Sequence, residues 1–175
     1  QGTSIYKEVG ISSNFIVDQN VGLDISGLQI SKSAGIESWD DYFTSSSIGG
    51  PKDNAWYKIE VDNDASSFVT GFKDLDVVSN AMPYDDIAFG FKVVNNLLSI
   101  VEGENETAMG SVVKGDFLSI EKQGSSIKYF KNGVQLREVS GADNLYQLKG
   151  HLFTKTPAFL IKFKPFLLTP TIRDI

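Results

Sequence analysis

The stretch KGDFLSIEKQGSSIKYFKNGVQLREV, residues 114–139, decides the fold. Three short apolar/polar runs are separated by Gln123-Gly124-Ser125 and by Lys131-Asn132-Gly133. Asn-Gly between two alternating runs marks a tight hairpin, because a type I′ turn needs positive φ at both central residues. The stretch therefore predicts a three-stranded meander.

The alternation extends in both directions. In Trp56-Tyr57-Lys58-Ile59-Glu60-Val61 a period of two puts Tyr57, Ile59 and Val61 on one face and Trp56, Lys58 and Glu60 on the other. Phe68–Phe72 reads as a further strand, and Ile87–Val93 places Ile87, Phe89, Phe91 and Val93 inward. Asn95-Asn96 is a turn, with a return strand over Leu97–Glu102 and an acidic loop at Gly103–Glu106. Near the N-terminus, Ile5-Tyr6, Phe15–Val17 and Leu28–Ile30 form short apolar runs, and Thr44–Asn54 is the longest loop-like segment. Phe159, Ile161 and Phe163 alternate inward until Pro165, which has no amide proton for a ladder. Helical periodicity is confined to short turns near 74–80 and 142–148. Ten or more short strands spaced by turn residues predict one all-β domain over 1–175, a two-sheet antiparallel sandwich or barrel.

Composition narrows the function. The 175 residues carry 22 acidic and 16 basic side chains, a formal charge of −6, which disfavours nucleic acid and anionic membranes as partners. There is no cysteine, so disulfides and thiolate metal sites are excluded. No apolar run is long enough to span a bilayer. The start Gln1-Gly2-Thr3 reads as a mature end left by a signal peptidase or as an artificial boundary.

From about Ile30 to Phe166 the chain resembles the concanavalin A-like lectin/glucanase superfamily, closest to a branch from bacterial surface proteins. The matching pieces are Gly35–Trp39, Ala55–Val61, Tyr84–Phe89, Leu98–Gly103, Gly115–Ile120 and Ile127–Val134. Gly115-Asp116 before a strand, followed by the aromatic-Lys-Asn-Gly hairpin at Phe130–Gly133, is the most specific of them. The resemblance implies a jelly-roll sandwich of two curved antiparallel sheets. Members of that superfamily bind glycans, cleave them, or serve as interaction modules in large secreted proteins.

Candidate chemistry is sparse. Glu60, Asp62 and Asp64 would share one face of an extended strand, as in the carboxylate row of retaining glucanases. The final acid is Asp rather than Glu, and Asn63–Ser67 reads as a turn, so a strand end is the preferred reading. His151 is the only histidine, and beside a turn it reads as a surface residue. There is no nucleophile elbow, Walker loop or dinucleotide glycine pattern. Asn105-Glu106-Thr107 matches a glycosylation sequon. Calcium is the one cofactor the residues allow, through loop carboxylates such as Asp85, Asp86, Glu102 and Glu104. For glycan binding, the best candidates are Trp39 with Asp40, Asp41 and Tyr42, and secondly Trp56. Each offers an aromatic plate beside polar partners.

The expected function is a non-catalytic binding module, lectin-like or adhesive. It would bind a glycan or surface protein from the cell surface as part of a larger exported bacterial protein. The alternatives are a glucanase-type hydrolase using Glu60 and Asp62, and a purely structural or interaction module.

Overall fold

The structure is a computed structural model that describes residues 17–26, 29–49, 52–61, 67–155, 161–163 and 166–168. These residues form fifteen strands and no helix. The strands are β1 (Val17–Val21), β2 (Asp24–Ser26), β3 (Gln29–Ser31), β4 (Tyr42–Gly49), β5 (Asn54–Val61), β6 (Phe68–Asp74), β7 (Ile87–Val94) and β8 (Leu97–Glu102). They continue with β9 (Asn105–Ser111), β10 (Phe117–Gln123), β11 (Ser126–Lys131), β12 (Val134–Ser140), β13 (Tyr146–Leu152), β14 (Ile161–Phe163) and β15 (Phe166–Leu168). All pairings are antiparallel. One sheet has seven strands in the order β1-β4-β13-β6-β7-β8-β9. The other has eight, ordered β12-β11-β10-β5-β14-β3-β2, with β15 also on β5. Among the described residues neither sheet closes on itself, so the strands form an open sandwich rather than a closed barrel.

The meander forms as the sequence predicts. Lys131 pairs with Val134 across Asn132 (φ 51°) and Gly133 (φ 80°), the two positive-φ positions of a type I′ turn. Asn95 (φ 49°) and Asn96 (φ 71°) make the same reversal between β7 and β8. The Gly115-Asp116 and Asn132-Gly133 pieces touch directly. Asn132 accepts a hydrogen bond from the Phe117 amide at 2.8 Å and donates to the Asp116 carboxylate at 2.9 Å. Asp116 also accepts from the Val113 amide at 2.9 Å. Burial alone would raise the Asp116 pKa. The bonds from Asn132 and Val113, with Lys131 nearby, outweigh it and hold the carboxyl below its usual range.

One core lies between the sheets. Tyr57, Ile59, Val61, Leu118, Ile120, Ile127 and Tyr129 from the eight-stranded sheet meet Phe43, Phe68, Phe72, Phe89, Phe91, Leu98 and Leu148 from the other. Phe91 and Tyr129 meet edge to face across the sheets at 5.5 Å. A buried polar chain also crosses the core. The Tyr57 hydroxyl contacts Thr70, which donates to the Lys149 carbonyl at 2.9 Å.

Four expectations fail for identifiable reasons. Ile87 does not face the main core, because the β6–β7 register shifts between Phe72 and Lys73, and a bulge there reverses which face Ile87 meets. Thr44–Gly49 is strand, not loop. The Ser45 hydroxyl and carbonyl bond to Leu148 and Gln147 of β13, so hydroxyl-rich composition here supports an irregular ladder. The acidic segment after Gly103 is a tight turn into edge strand β9, whose residues are mostly exposed. At 74–80 a single turn closes from the Val77 amide to the Asp74 carbonyl at 3.2 Å without becoming a helix, and Tyr146 already belongs to β13. Residues 1–16, Leu28 and Phe159 lie outside the described residues.

Asn132→Gly keeps the positive φ but removes the side-chain bonds to Asp116 and Phe117. It is expected to cost about 1 kcal/mol. Asn132→Val adds a strained backbone and should cost more, read as the denaturant midpoint at constant m-value.

Candidate functional site on the outer face of the seven-stranded sheet

Strand β13 sits within the seven-stranded sheet with all seven residues buried. Tyr146, Leu148 and Leu152 join the core, so the period of two sends Gln147, Lys149 and His151 to the opposite face. There they stand beside residues of adjacent strands: His151 opposite Tyr42, Lys149 opposite Thr44, and Gln147 opposite Lys73. The described residues cover this outer face only in part. The 75–86 connection between β6 and β7 folds back over it, and Tyr84 and Met82 pack with Val69, Ile87, Val101 and Trp39 in a small second apolar cluster.

A buried ion pair holds that connection down. Lys149 Nζ donates to both Asp86 oxygens at 2.9 Å and to the Pro83 carbonyl at 3.0 Å. Both side chains are about 95% sequestered (6% and 5% exposed). Burial depresses the Lys149 pKa, while Asp86 opposes the shift.

Two hollows flank this clasp. The larger, about 590 Å³, has an aromatic wall: Trp39 meets Tyr84 edge-on at 5.3 Å and Phe153 at 5.0 Å. Glu37, Lys92, Asn95 and Thr154 supply its polar rim. The second, about 400 Å³, is lined by Asp18, Asp40, Tyr42, Lys73, Gln147 and His151, among others. His151 lies between the two. Its Nδ1 is 2.6 Å from the Trp39 carbonyl, and its ring meets Tyr42 at 5.2 Å and Tyr84 at 6.1 Å. A carbonyl only accepts, so Nδ1 carries the proton and Nε2 is a lone-pair acceptor, buried with no hydrogen-bond partner among the described residues. Burial, reinforced by the Lys149 charge and opposed by the Trp39 bond, pushes the His151 pKa down to about 3. The expectation of a surface histidine was wrong, because strand alternation carries position 151 under the rings of Tyr42 and Tyr84.

The sequence candidates divide. Trp39, Asp40 and Tyr42 lie together on this face. Asp41 turns away to pair with the fully buried Lys32 at 2.8 Å, and its carboxylate fills the space beside Gly22 (φ 75°). Trp56 belongs to the other sheet, where it lines a separate hollow with Lys58 and Phe117, the Lys58 ammonium standing 4.4 Å from the Phe117 ring. Glu60 lies on that sheet too, while Asp62 and Asp64 fall outside the described residues. Of the four carboxylates considered for calcium, Asp85, Asp86 and Glu102 line one hollow of about 330 Å³, and each has another partner. Asp86 holds Lys149, Asp85 accepts from the Met82 amide, Glu102 pairs with Arg137 at 2.9 Å, and Glu104 is exposed. Among the described residues no group of three or more such ligands forms. Lys73, Gln147 and Lys149 were missed, since nothing in the sequence shows that β13 turns polar side chains under the 75–86 connection.

No protein-family model matches this sequence, and no curated protein does. Solved structures do. The SPRY domain of human HERC1 superposes with a TM-score of 0.63 at 13% identity, over 89% of this chain and 99% of that one. The Ca²⁺/Man3GlcNAc-bound lumenal domain of VIP36 gives 0.56 at 8%, over 91% and 86%. Alginate lyase AlgAT5 of polysaccharide lyase family 7 gives 0.55 at 12%, over 90% and 84%. At these identities the likeness is one of fold. The chain is a β-sandwich similar to several superfamilies, and none is singled out. Among the described residues no helix is long and apolar enough to cross a membrane.

Two outcomes test this geometry. His151 has a lowered folded pKa, so its stability contribution is complete above its ordinary value of 6.5 and is lost as pH falls towards about 3. His151→Gln, which can still donate to the Trp39 carbonyl, should flatten the pH dependence of unfolding between pH 6 and 4 by up to about 1.4 kcal/mol per unit. Lys149→Met strands the Asp86 carboxylate and should cost about 3–5 kcal/mol, most of it recovered when Asp86→Leu is added.

Proposed function

We propose that this chain is a non-catalytic binding module of an exported bacterial protein. It holds a carbohydrate of the cell surface on the outer face of its seven-stranded sheet. One observation carries this reading: Trp39, only partly buried, walls a hollow with Tyr84 and Phe153 beside polar side chains. Sugar rings stack their C–H faces on such rings, while hydroxyls take directional bonds from the surrounding polar groups. The hydrolase alternative lacks comparable support. Glu60 stands on the other sheet, away from Trp39, and β5 ends at Val61.

Glycan-array screening of the wild-type chain should give specific signals that Trp39→Ala abolishes and Trp56→Ala leaves in place. Incubation with β-glucans should release no reducing ends. An array without signals, or release of reducing ends lost in Glu60→Gln, would overturn the proposal.

A further inference from the structure

The second hollow narrows the ligand class, given the carbohydrate reading on which this step rests. One of its two cations is spent. Lys149 directs its donors at Asp86 and the Pro83 carbonyl, and Lys73 lies 3.8 Å from the same carboxylate. Among the charged side chains lining the hollow, Asp18, Asp40 and Asp86 stand against Lys73 and Lys149, a balance of −1. His151 adds no positive charge at neutral pH. Asp18 and Asp40 only accept, while Gln19, Tyr42, Thr44 and Ser79 of the same lining both donate and accept. Gln147 lines the hollow and donates its amide nitrogen to the Ser45 carbonyl at 2.6 Å, and its carbonyl oxygen is an acceptor. Asp40 is exposed on the rim, and its backbone amide, not its carboxylate, bonds to Ser38. The hollow lies next to the Trp39 wall, since Trp39 and Asp40 are consecutive and Pro83 and Tyr84 likewise face different hollows.

We infer that the two hollows together take an uncharged, hydroxyl-rich oligosaccharide. One sugar lies on the Trp39 wall and a neighbouring unit gives its hydroxyl protons to Asp40 and Gln147. A polyuronate would bring carboxylates against Asp18 and Asp40, where like charges repel and Lys73 is the single lining cation not already bonded to a carboxylate. The Asp18 and Asp40 carboxylates, which only accept, favour a ligand that supplies O–H groups.

The test is isothermal titration of the intact chain with neutral hexasaccharides (cello-, laminari- and mannohexaose) and with alginate and polygalacturonate hexamers. At least one neutral hexamer should bind, more than tenfold tighter than its monosaccharide and than either acidic hexamer. Asp40→Ala, a change at an exposed side chain, should weaken the neutral hexamer about tenfold. Asp40→Lys should narrow the gap between neutral and acidic hexamers. Circular dichroism of each variant confirms an unchanged fold. Binding of acidic hexamers alone, or neutral binding indifferent to both Asp40 variants, overturns this inference while leaving carbohydrate binding intact. Binding of none removes both.

Discussion

The outer face of the seven-stranded sheet depends on one interaction, the pairing of Lys149 with Asp86. An ammonium on the middle of a strand, on the side away from the core, would ordinarily point into water. Here the 75–86 connection closes over it and supplies two carboxylate oxygens and a carbonyl at 2.9–3.0 Å. Isolated in an apolar setting, either charge would be costly; together, with the remaining protons satisfied, they hold a helix-free connection on the sheet. Tyr84 and Met82 then reach Val69 and Val101, and Trp39 completes the same cluster. The hollows on either side are what this clasp leaves uncovered.

A β-bulge makes the arrangement possible. Had β7 kept its alternation to its first residue, Ile87 would point between the sheets and the second cluster would lose a member. The register shift opposite Lys73 turns it outward, and Gly90 leaves room for it, since a Cβ there would stand 2.7 Å from an Ile87 methyl. The two outer faces therefore differ. One carries a clasped connection, an aromatic wall and a polar hollow. The other carries Lys58 between Trp56 and Phe117 above the meander.

Much of this framework was legible in the sequence, because the relevant signals are local. Asn132-Gly133 and Asn95-Asn96 demand positive φ, and hydrophobic alternation in β5 placed Tyr57, Ile59 and Val61 in the core. Of the candidate site, Trp39, Asp40 and Tyr42 were recognisable as an aromatic plate beside polar groups. What was not legible depends on long-range pairing. Asp41 sits between Asp40 and Tyr42 yet serves the buried Lys32, and nothing in its neighbours reveals that partner. His151 looked like a turn residue because the glycine before it suggested one. Gly150 instead makes room for the Phe43 ring on the core side, where a Cβ would meet it at 2.5 Å. Ser45 in β4 resembled loop because its hydroxyl bonds to a strand about 100 residues away.

The central claim is that ligand is received on the clasped face of the seven-stranded sheet. Backbone amide chemical-shift mapping during titration with a neutral hexasaccharide tests it most directly. The account predicts perturbations concentrated at 37–44, 82–86 and 147–154. Shifts concentrated instead at 56–60, 117–121 and 130–133, with the clasped face silent, would contradict it.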